Sequence, residues 1–251
     1  GLLTSRSIGN AKAARNAQVE TTRDAVESTG TAGAGSARRR LAPAERTPQI
    51  LAAALEEFAE RGYAGASMAA VAARAGVTKG LIYHYFPGKA ELFKAVVRSC
   101  IQPVFDEAER LIAAFQGSKA DLLRRLMGFA YARVAAERRE RILFKLILSE
   151  ADRFPELAAF YNAEVLSRAL ALVGGVLHAG AASGEFRPEA AEGAGLAPVL
   201  MAPAIMASIW QMMLGEERAP DLVAMREAHI DLVLRGLLQA QAPGRDTAAP
   251  G

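Results

Sequence analysis

The chain has 251 residues, a formal net charge of +3 and a single cysteine. This length is enough to bury a substantial core in one large or two small domains. A single cysteine excludes an intramolecular disulfide framework and fits a reducing compartment. We interpret Cys100 as a small buried residue, with a redox role as the alternative.

Positive charge is concentrated in one segment of the chain. Residues 38–98 contain ten Lys/Arg against five Asp/Glu, whereas residues 99–251 contain 16 against 19. A protein that binds DNA needs positive charge at the contact surface, because neutralising phosphates releases counterions. The distribution therefore favours nucleic acid as a partner of the first segment only.

Residues 1–40 are predicted to form a disordered basic leader. They are rich in Ala, Ser, Thr and Gly, lack aromatic residues, and contain no apolar stretch typical of a secretory signal. The leader ends at Arg38, Arg39 and Arg40. These arginines are interpreted either as a mobile arm that contacts phosphates or the minor groove, or as a solvated linker.

The first predicted helix runs from Thr47 to Gly62. Thr47 is placed to cap it, Pro48 suits the first helical position, and Gly62 suits its end. Its apolar residues follow helical spacing and predict one buried face: Ile50, Leu51, Ala54, Leu55 and Phe58.

Residues 67–86 predict two short helices joined by a tight turn. Ser67 and Thr78 are placed as their N-caps, and Gly76 can take the left-handed conformation that ends the first helix. The inward residues of the second helix would be Val77, Ile82 and Phe86. This arrangement predicts a helix-turn-helix, whose second helix enters the DNA major groove.

The outward face of the second helix carries groups suited to DNA. Lys79 can bond a guanine edge or a phosphate, and Gly80 lets the backbone approach the groove. Lys89, at the start of the next helix, is expected to meet a phosphate there. For each residue alone, a solvated position on an amphipathic helix is the alternative. The predicted DNA contacts are Ser67, Thr78, Lys79, Gly80, Leu81, Tyr83, His84, Tyr85 and Lys89, with Arg38, Arg39 and Arg40.

The run G-V-T-K-G-L-I-Y-H-Y-F-P-G-K-A-E-L-F, residues 76–93, resembles the signature of the TetR/AcrR family of transcriptional regulators. Residues 48–63 resemble the first helix of that family, and residues 227–238 its last helix. Two departures are Gly88, where Ser or Asn is common, and Leu81-Ile82 in place of Thr-Leu. The resemblance implies sequence-specific binding to an operator.

Beyond Lys89 the sequence predicts only helices, which gives an all-α protein of about nine helices. We expect a three-helix DNA-binding domain over residues 41–88 and a larger helical effector-binding and dimerisation domain over residues 89–242. A disordered tail is predicted for residues 243–251. The predicted helices of the second domain cover residues 89–111, 121–136, 140–152, 155–183, 189–215 and 221–239.

Residues 193–215 contain no charged side chain. Their length alone would fit a membrane span, but Pro198, Pro203 and Gln211 interrupt them and the flanks are acidic. We interpret them as a helix buried on every side, by its own core and by a second subunit. The family resemblance implies a homodimer through the last two helices, with interface candidates Met201, Ile205, Ile209, Trp210, Met213, Ile230 and Leu234.

The family resemblance also implies a pocket among the middle helices. An apolar cavity with a few polar groups would take a small hydrophobic effector, and ordinary core packing is the alternative for each residue. The candidates are Phe105, Met127, Phe129, Tyr131, Phe144, Phe160, Tyr161 and His178.

Enzyme classes find no support in the motifs. The sequence has no G-x-S-x-G elbow, no phosphate-binding P-loop and no H-E-x-x-H pair, and its three histidines lie far apart. We expect no catalytic residues, metal or cofactor. The predicted function is a cytoplasmic repressor that binds a palindromic operator as a homodimer and is released by a small hydrophobic effector. The alternative is a helical adaptor or membrane-associated interaction protein without specific DNA binding.

Overall fold

A computed structural model of the chain describes residues 43–238. The predicted leader with Arg38, Arg39 and Arg40, and the predicted tail, lie outside the described residues. Over the described part the regular structure is helical, apart from one isolated antiparallel bridge between Phe186 and Leu238. The predicted all-α fold is therefore confirmed.

Eleven α-helices and two π-helical turns follow in chain order over residues 43–238. They are α1 (Pro43–Gly65), α2 (Met68–Arg74), α3 (Lys79–Tyr85), α4 (Lys89–Ala114), α5 (Lys119–Ala130), a π turn (Tyr131–Ala136), α6 (Arg138–Glu150), α7 (Pro155–Tyr161), a second π turn (Asn162–Leu166), α8 (Ser167–Ala182), α9 (Glu189–Glu192), α10 (Leu196–Leu214) and α11 (Leu222–Leu237).

The first helix begins earlier than the sequence predicts. It is already formed at Pro43, so Thr47 does not cap it and Pro48 lies inside it. The physical reason is that Pro43 also suits an early helical position, and Glu45 places an acidic group in the first turn. Gly62 ends the regular helix as expected, with φ 68° and ψ 173°, and a short further turn follows it.

Two predicted helices are subdivided in the structure. Residues 155–182 stay helical but pass through the π turn at Asn162–Leu166, and residues 189–214 break at Gly193–Gly195 between α9 and α10. The glycines remove the side chains that would favour a continuous helix there. These breaks explain why the described residues hold more helices than predicted.

The core of the helix-turn-helix is shared with later helices. One buried cluster joins residues of α1 to α4 with Leu143, Leu146 and Ile147 of α6 and with Leu157 and Phe160 of α7. A second cluster joins α5, α8, α10 and α11. The segment that resembles a DNA-binding domain therefore packs directly on α6 and α7.

Cys100 belongs to the first of these clusters. It is buried, as the sequence predicts, and burial raises the pKa of its thiol above the usual range. The protonated, inaccessible thiol fits a packing role better than a redox role.

The helix α10 is apolar but only partly covered. Val199, Met206 and Met213 are exposed, so a single chain covers only part of α10, and its burial by a second subunit stays a prediction. By length and composition, residues 155–182 and 196–214 are both apolar enough to cross a membrane. Core helices of soluble proteins meet the same criteria, and Ser208 and Gln211 of α10 are buried polar residues.

Candidate DNA interface and effector cavity

The helix-turn-helix is defined by caps that its own sequence supplies. Ser67 Oγ accepts a hydrogen bond from the Ala70 amide at 3.1 Å, and Thr78 Oγ1 accepts one from the Leu81 amide at 3.2 Å. Gly76 takes a φ of 65° in the turn between α2 and α3. Side chains other than glycine rarely adopt this conformation, so the turn requires the glycine that the sequence provides.

Side chains from distant positions hold α2 against α1. Gln49 Nε2 donates to the Ala75 carbonyl at 2.9 Å, which satisfies the end of α2. Arg74, the last residue of α2, binds Glu60 at 2.5 Å and the buried Glu57 at 3.3 Å. Sequence reasoning missed these residues, because their partners lie 14 to 26 positions away and no local pattern links them.

The exposed face of α3 brings together most of the predicted DNA contacts. Thr78, Lys79, Gly80, Tyr83 and His84 are exposed, whereas Leu81 and Tyr85 are half-buried. The buried side of the same helix consists of Ile82, followed by Phe86 at its end. One short helix thus separates an apolar inner side from an outer side with a cation, hydroxyls and an imidazole.

The two capping hydroxyls can serve DNA while they cap. The Ser67 and Thr78 oxygens accept backbone N–H groups, which leaves each hydroxyl proton free to be donated. Both side chains are exposed at the start of a helix, where phosphate oxygens also find free N–H groups. The geometry is compatible with a phosphate contact at each cap.

Lys89 does not have the free ammonium group that the sequence suggests. Its Nζ donates to the carbonyls of Ala64 at 3.1 Å and Ala66 at 3.2 Å, and lies 4.8 Å from the centroid of the Tyr63 ring. The predicted phosphate contact of Lys89 stays a prediction, and the structure adds a second role for its ammonium group. Two of its three donors hold the segment between α1 and α2, and only the third remains for an anion.

A cavity of about 210 Å³ lies among α4, α5, α6, α7, α8 and α10. Its walls are almost entirely aliphatic and aromatic. The lining side chains are Ile101, Val104, Phe105, Ala108, Leu126, Phe129, Ala130, Arg133, Glu140, Leu143, Phe144, Tyr161, Val165, Ala169, Leu172, Val173, Met201 and Ile205. Two of them, Arg133 and Val165, lie in the π turns, a helix irregularity that often occurs at functional sites.

Half of the predicted pocket residues line this cavity. Phe105, Phe129, Phe144 and Tyr161 do so. The other four do not line it, so their assignment to the effector site finds no support in this cavity. Met127 is buried in the second core cluster, Phe160 in the first, Tyr131 bonds His229 Nδ1 through its hydroxyl at 3.2 Å, and His178 is exposed.

Two charged residues in the cavity wall were not foreseen from the sequence. Arg133 binds Glu107 at 2.5 Å and Glu137 at 3.8 Å, and the bond to Glu107 raises the pKa of its guanidinium. Burial raises the pKa of the Glu140 carboxyl, which has no ion-pair partner within 4.0 Å among the described residues. The wall therefore presents one ion-paired arginine and one acid without an ion pair of its own, whose charged form burial disfavours and the nearby Arg133 and Arg139 favour.

The dimer candidates divide into four environments. Ile230 and Leu234 are buried in the second core cluster of their own chain, so their assignment to an interface is corrected. Met201 and Ile205 line the cavity, and Ile209 and Trp210 are half-buried. Met213 is 72% exposed. The exposed apolar residues of the last two helices also include Val199 and Met206 of α10 and Val223 and Leu232 of α11.

Comparison with known proteins places the helix-turn-helix in a family. Residues 50–96 match the family model of bacterial regulatory proteins of the tetR family. The transcriptional activator FasR of Mycolicibacterium smegmatis is 41% identical over 96 residues, which are 33% of this chain and 44% of that protein. The transcriptional repressor KstR2 of the same species is 26% identical over 59% of this chain and 70% of its own length.

The similarity of the whole fold extends further than that of the sequence. A transcriptional regulator of Saccharomonospora viridis, solved in complex with choline, superimposes with a TM-score of 0.64 over 78% of this chain and 99% of its own, at 20% identity. At this identity the superposition establishes the fold, whereas the sequence match covers less than half of FasR. Residues 50–96 thus match the helix-turn-helix of the tetR family, and the all-helical fold of the solved regulator extends over 78% of the chain.

Proposed function

We propose that the protein is a ligand-responsive transcriptional repressor, active in the cytoplasm, that binds a palindromic operator as a homodimer. The observation that carries this proposal is the outward face of α3, which sets Thr78, Lys79 and Tyr83 on a rigid, capped helix outside the core. The hydroxyls and the ammonium group of this face are suited to the base edges and phosphates of a DNA major groove.

The dimer follows from the uncovered apolar side of the last two helices. Met206, Met213 and Leu232 are large side chains exposed to water in the single chain. A second copy packed on the same residues would remove this surface from water, and a two-fold axis makes the patch complementary to itself. Two recognition helices in fixed register would then match a palindrome.

The cavity is the proposed effector site. At about 210 Å³ it is larger than the roughly 150 Å³ apolar cavities that take up benzene. Its aromatic and aliphatic walls suit a hydrophobic molecule, and the unpaired Glu140 adds a preference for a ligand that carries a hydrogen-bond donor or a positive charge. The S. viridis neighbour, which was solved with choline, gives an example of this fold with a small molecule.

Repression would end when the effector favours a conformation whose recognition helices no longer fit the operator. The helices α4 and α6 line the cavity, and both contribute to the core that supports the helix-turn-helix. A shift of either helix would therefore reach α1 and α2 through buried contacts. Repression rather than activation is proposed, because a protein bound at an operator can block polymerase without a further contact surface; the relatives include both kinds of regulator.

The test is selection of a duplex from a random pool by the wild-type protein, followed by a screen for small molecules that release it. We expect a two-fold symmetric sequence, and release by apolar or cationic compounds. Ala169→Phe, which fills the cavity, should keep DNA binding and lose release, whereas Ala113→Phe on the exposed side of α4 should change neither. Enrichment of no sequence would contradict the proposal.

An interaction protein at a membrane is the second candidate, since the apolar face of α10 is exposed. Flotation with phospholipid vesicles separates the two functions. Binding to vesicles that survives Lys79→Ala but not Met213→Arg would favour the membrane, and absence from the lipid fraction would favour a dimer interface.

A further inference from the structure

The last residue of α6 contacts the backbone of the helix-turn-helix. Glu150 is only 7% exposed, and its Oε1 accepts the amide N–H of Tyr63 at 3.0 Å and that of Ala64 at 3.5 Å. These two amides follow Gly62, where the left-handed backbone interrupts α1 and leaves N–H groups without helical acceptors. Glu150 thus completes the end of α1 from a position 87 residues further along the chain.

This contact depends on a close approach at Gly62. A Cβ atom at that position would lie 2.7 Å from Glu150 Oε1, closer than side-chain atoms pack, and the φ of 68° disfavours other residues as well. The second carboxylate oxygen, Oε2, is buried and accepts no hydrogen bond within the described part of the chain. Among the described residues its ion-pair partner is Arg153 Nη1 at 4.0 Å, too far for a hydrogen bond, so burying this oxygen costs stability.

Glu150 and Lys89 both form hydrogen bonds to the backbone of the same short segment. Glu150 accepts a hydrogen bond from the N–H of Ala64, while Lys89 Nζ donates to the carbonyls of Ala64 and Ala66. The next residue, Ser67, caps α2. The segment that leads into α2 is therefore held by one side chain from α6 and one from the start of α4, in addition to the contacts of Gln49 and Arg74 that hold α2 against α1.

The same helix α6 also forms part of the cavity wall. Glu140, Leu143 and Phe144 line the cavity, whereas Arg138 at the start of α6 binds Glu56 of α1 through two hydrogen bonds of 2.9 and 3.2 Å. Both ends of α6 are thus fixed to α1, and its middle faces the effector site. A ligand that displaces α6 must strain or break one of these attachments.

We propose that Glu150 is the positioning residue through which α6 sets the helix-turn-helix for DNA and through which occupancy of the cavity is transmitted to it. Arg138 and Glu56 are exposed and surface pairs contribute little, so the Glu150 attachment is the stronger of the two. The proposal rests on the proposed function, since a positioning role for DNA requires that the protein binds DNA.

The experiment compares Glu150→Ala and Glu150→Gln with the wild type by hydrogen exchange and by titration of the selected duplex. The control is Asp152→Asn, which removes the same charge from an exposed acid two residues away. In Glu150→Ala we expect the amides of residues 63–66 to exchange about ten- to a hundred-fold faster, the loss typical of hydrogen bonds to a charged acceptor, while peptides of α10 keep their rates. DNA affinity per folded protein should fall at least ten-fold.

Glu150→Gln keeps an acceptor oxygen but loses the charge, so its effects should be intermediate, and it serves if the alanine variant fails to fold. Unchanged exchange at residues 63–66 would overturn the proposal. So would faster exchange throughout the chain with DNA affinity unchanged, which is the result of a merely structural role. Hydrogen exchange is measured without DNA, so it tests whether Glu150 holds residues 63–66 whether or not the protein binds DNA. A wild-type protein that selects no duplex would instead count against the proposed function.

Discussion

The helix-turn-helix and the last two helices bury apolar surface in opposite ways. The segment α1 to α4 places its apolar residues inside one chain and turns a polar face outward, with hydroxyl caps on α2 and α3. In contrast, α10 lacks a side-chain cap and leaves Val199, Met206 and Met213 exposed. The first region is complete within the monomer, whereas the second has a surface that a partner would complete.

This difference explains which features could be predicted from the sequence. The caps Ser67 and Thr78 and the turn glycine Gly76 depend on residues within four positions, so a local pattern contains them. The roles of Lys89 and Glu150 depend on partners 23 to 87 positions away, and only the folded chain brings these together. Ile230 and Leu232 have the same apolar character, yet only Ile230 faces the core. The spacing of apolar residues in α11 does not say which face of the helix packs against the rest of the monomer, so the sequence could not distinguish the two.

The largest expected effect is on the uncovered surface. Leu232 is 71% exposed, so Leu232→Arg should place a charge in the proposed dimer interface without disturbing the core of the chain. We expect monomers and a loss of operator affinity of about a hundred-fold or more, because one recognition helix makes half of the contacts. Sedimentation velocity measures the first effect and duplex titration the second. The matched control is Leu148→Arg on α6, also exposed; if both variants stay dimeric, the interface lies elsewhere.

A smaller effect is expected on the polar face. Lys79 is exposed and forms no ion pair among the described residues. Lys79→Ala should reduce DNA affinity by about ten-fold and, if it contacts a phosphate, reduce the salt dependence by about one unit per subunit. A salt-series titration measures both quantities. Lys145→Ala, an exposed lysine on α6, is the control, and equal losses in the two variants would mean that the contact is not specific to α3.

A substitution at Gly80 should change stability and DNA binding in opposite directions. A Cβ at Gly80 meets nothing within 4 Å in the free protein, so Gly80→Ala should raise the free energy of unfolding by about 0.5–1 kcal/mol through helix propensity. If the backbone approaches the groove there, DNA affinity should nevertheless fall. Urea unfolding and duplex titration test the two halves. An unchanged affinity would show that DNA does not approach Gly80 closely.

The smallest effect is on the pH dependence of the free energy of unfolding, through the contact between Tyr131 and His229 of α11. Burial lowers the pKa of His229, whose Nδ1 lies 3.2 Å from the Tyr131 hydroxyl. The unfolded chain therefore binds a proton first as the pH falls below about 6.5, so the free energy of unfolding should decrease there.

His229→Gln should reduce the slope of the free energy of unfolding against pH. The reduction should be smaller than the value for one full proton, about 1.4 kcal/mol per pH unit. Denaturant unfolding between pH 7.5 and 5 measures it, with the exposed His178→Gln as control. A slope that changes equally in both variants would argue against a specific role of the buried histidine.

The central claim is that two copies of the chain read DNA through α3. The most direct test is a titration of the selected duplex, and of a shuffled one, with sedimentation equilibrium to count chains per duplex. We predict two chains on the selected duplex, an affinity that falls steeply with salt, and much weaker binding to the shuffled duplex. One chain per duplex, or equal binding to both sequences, would contradict the account.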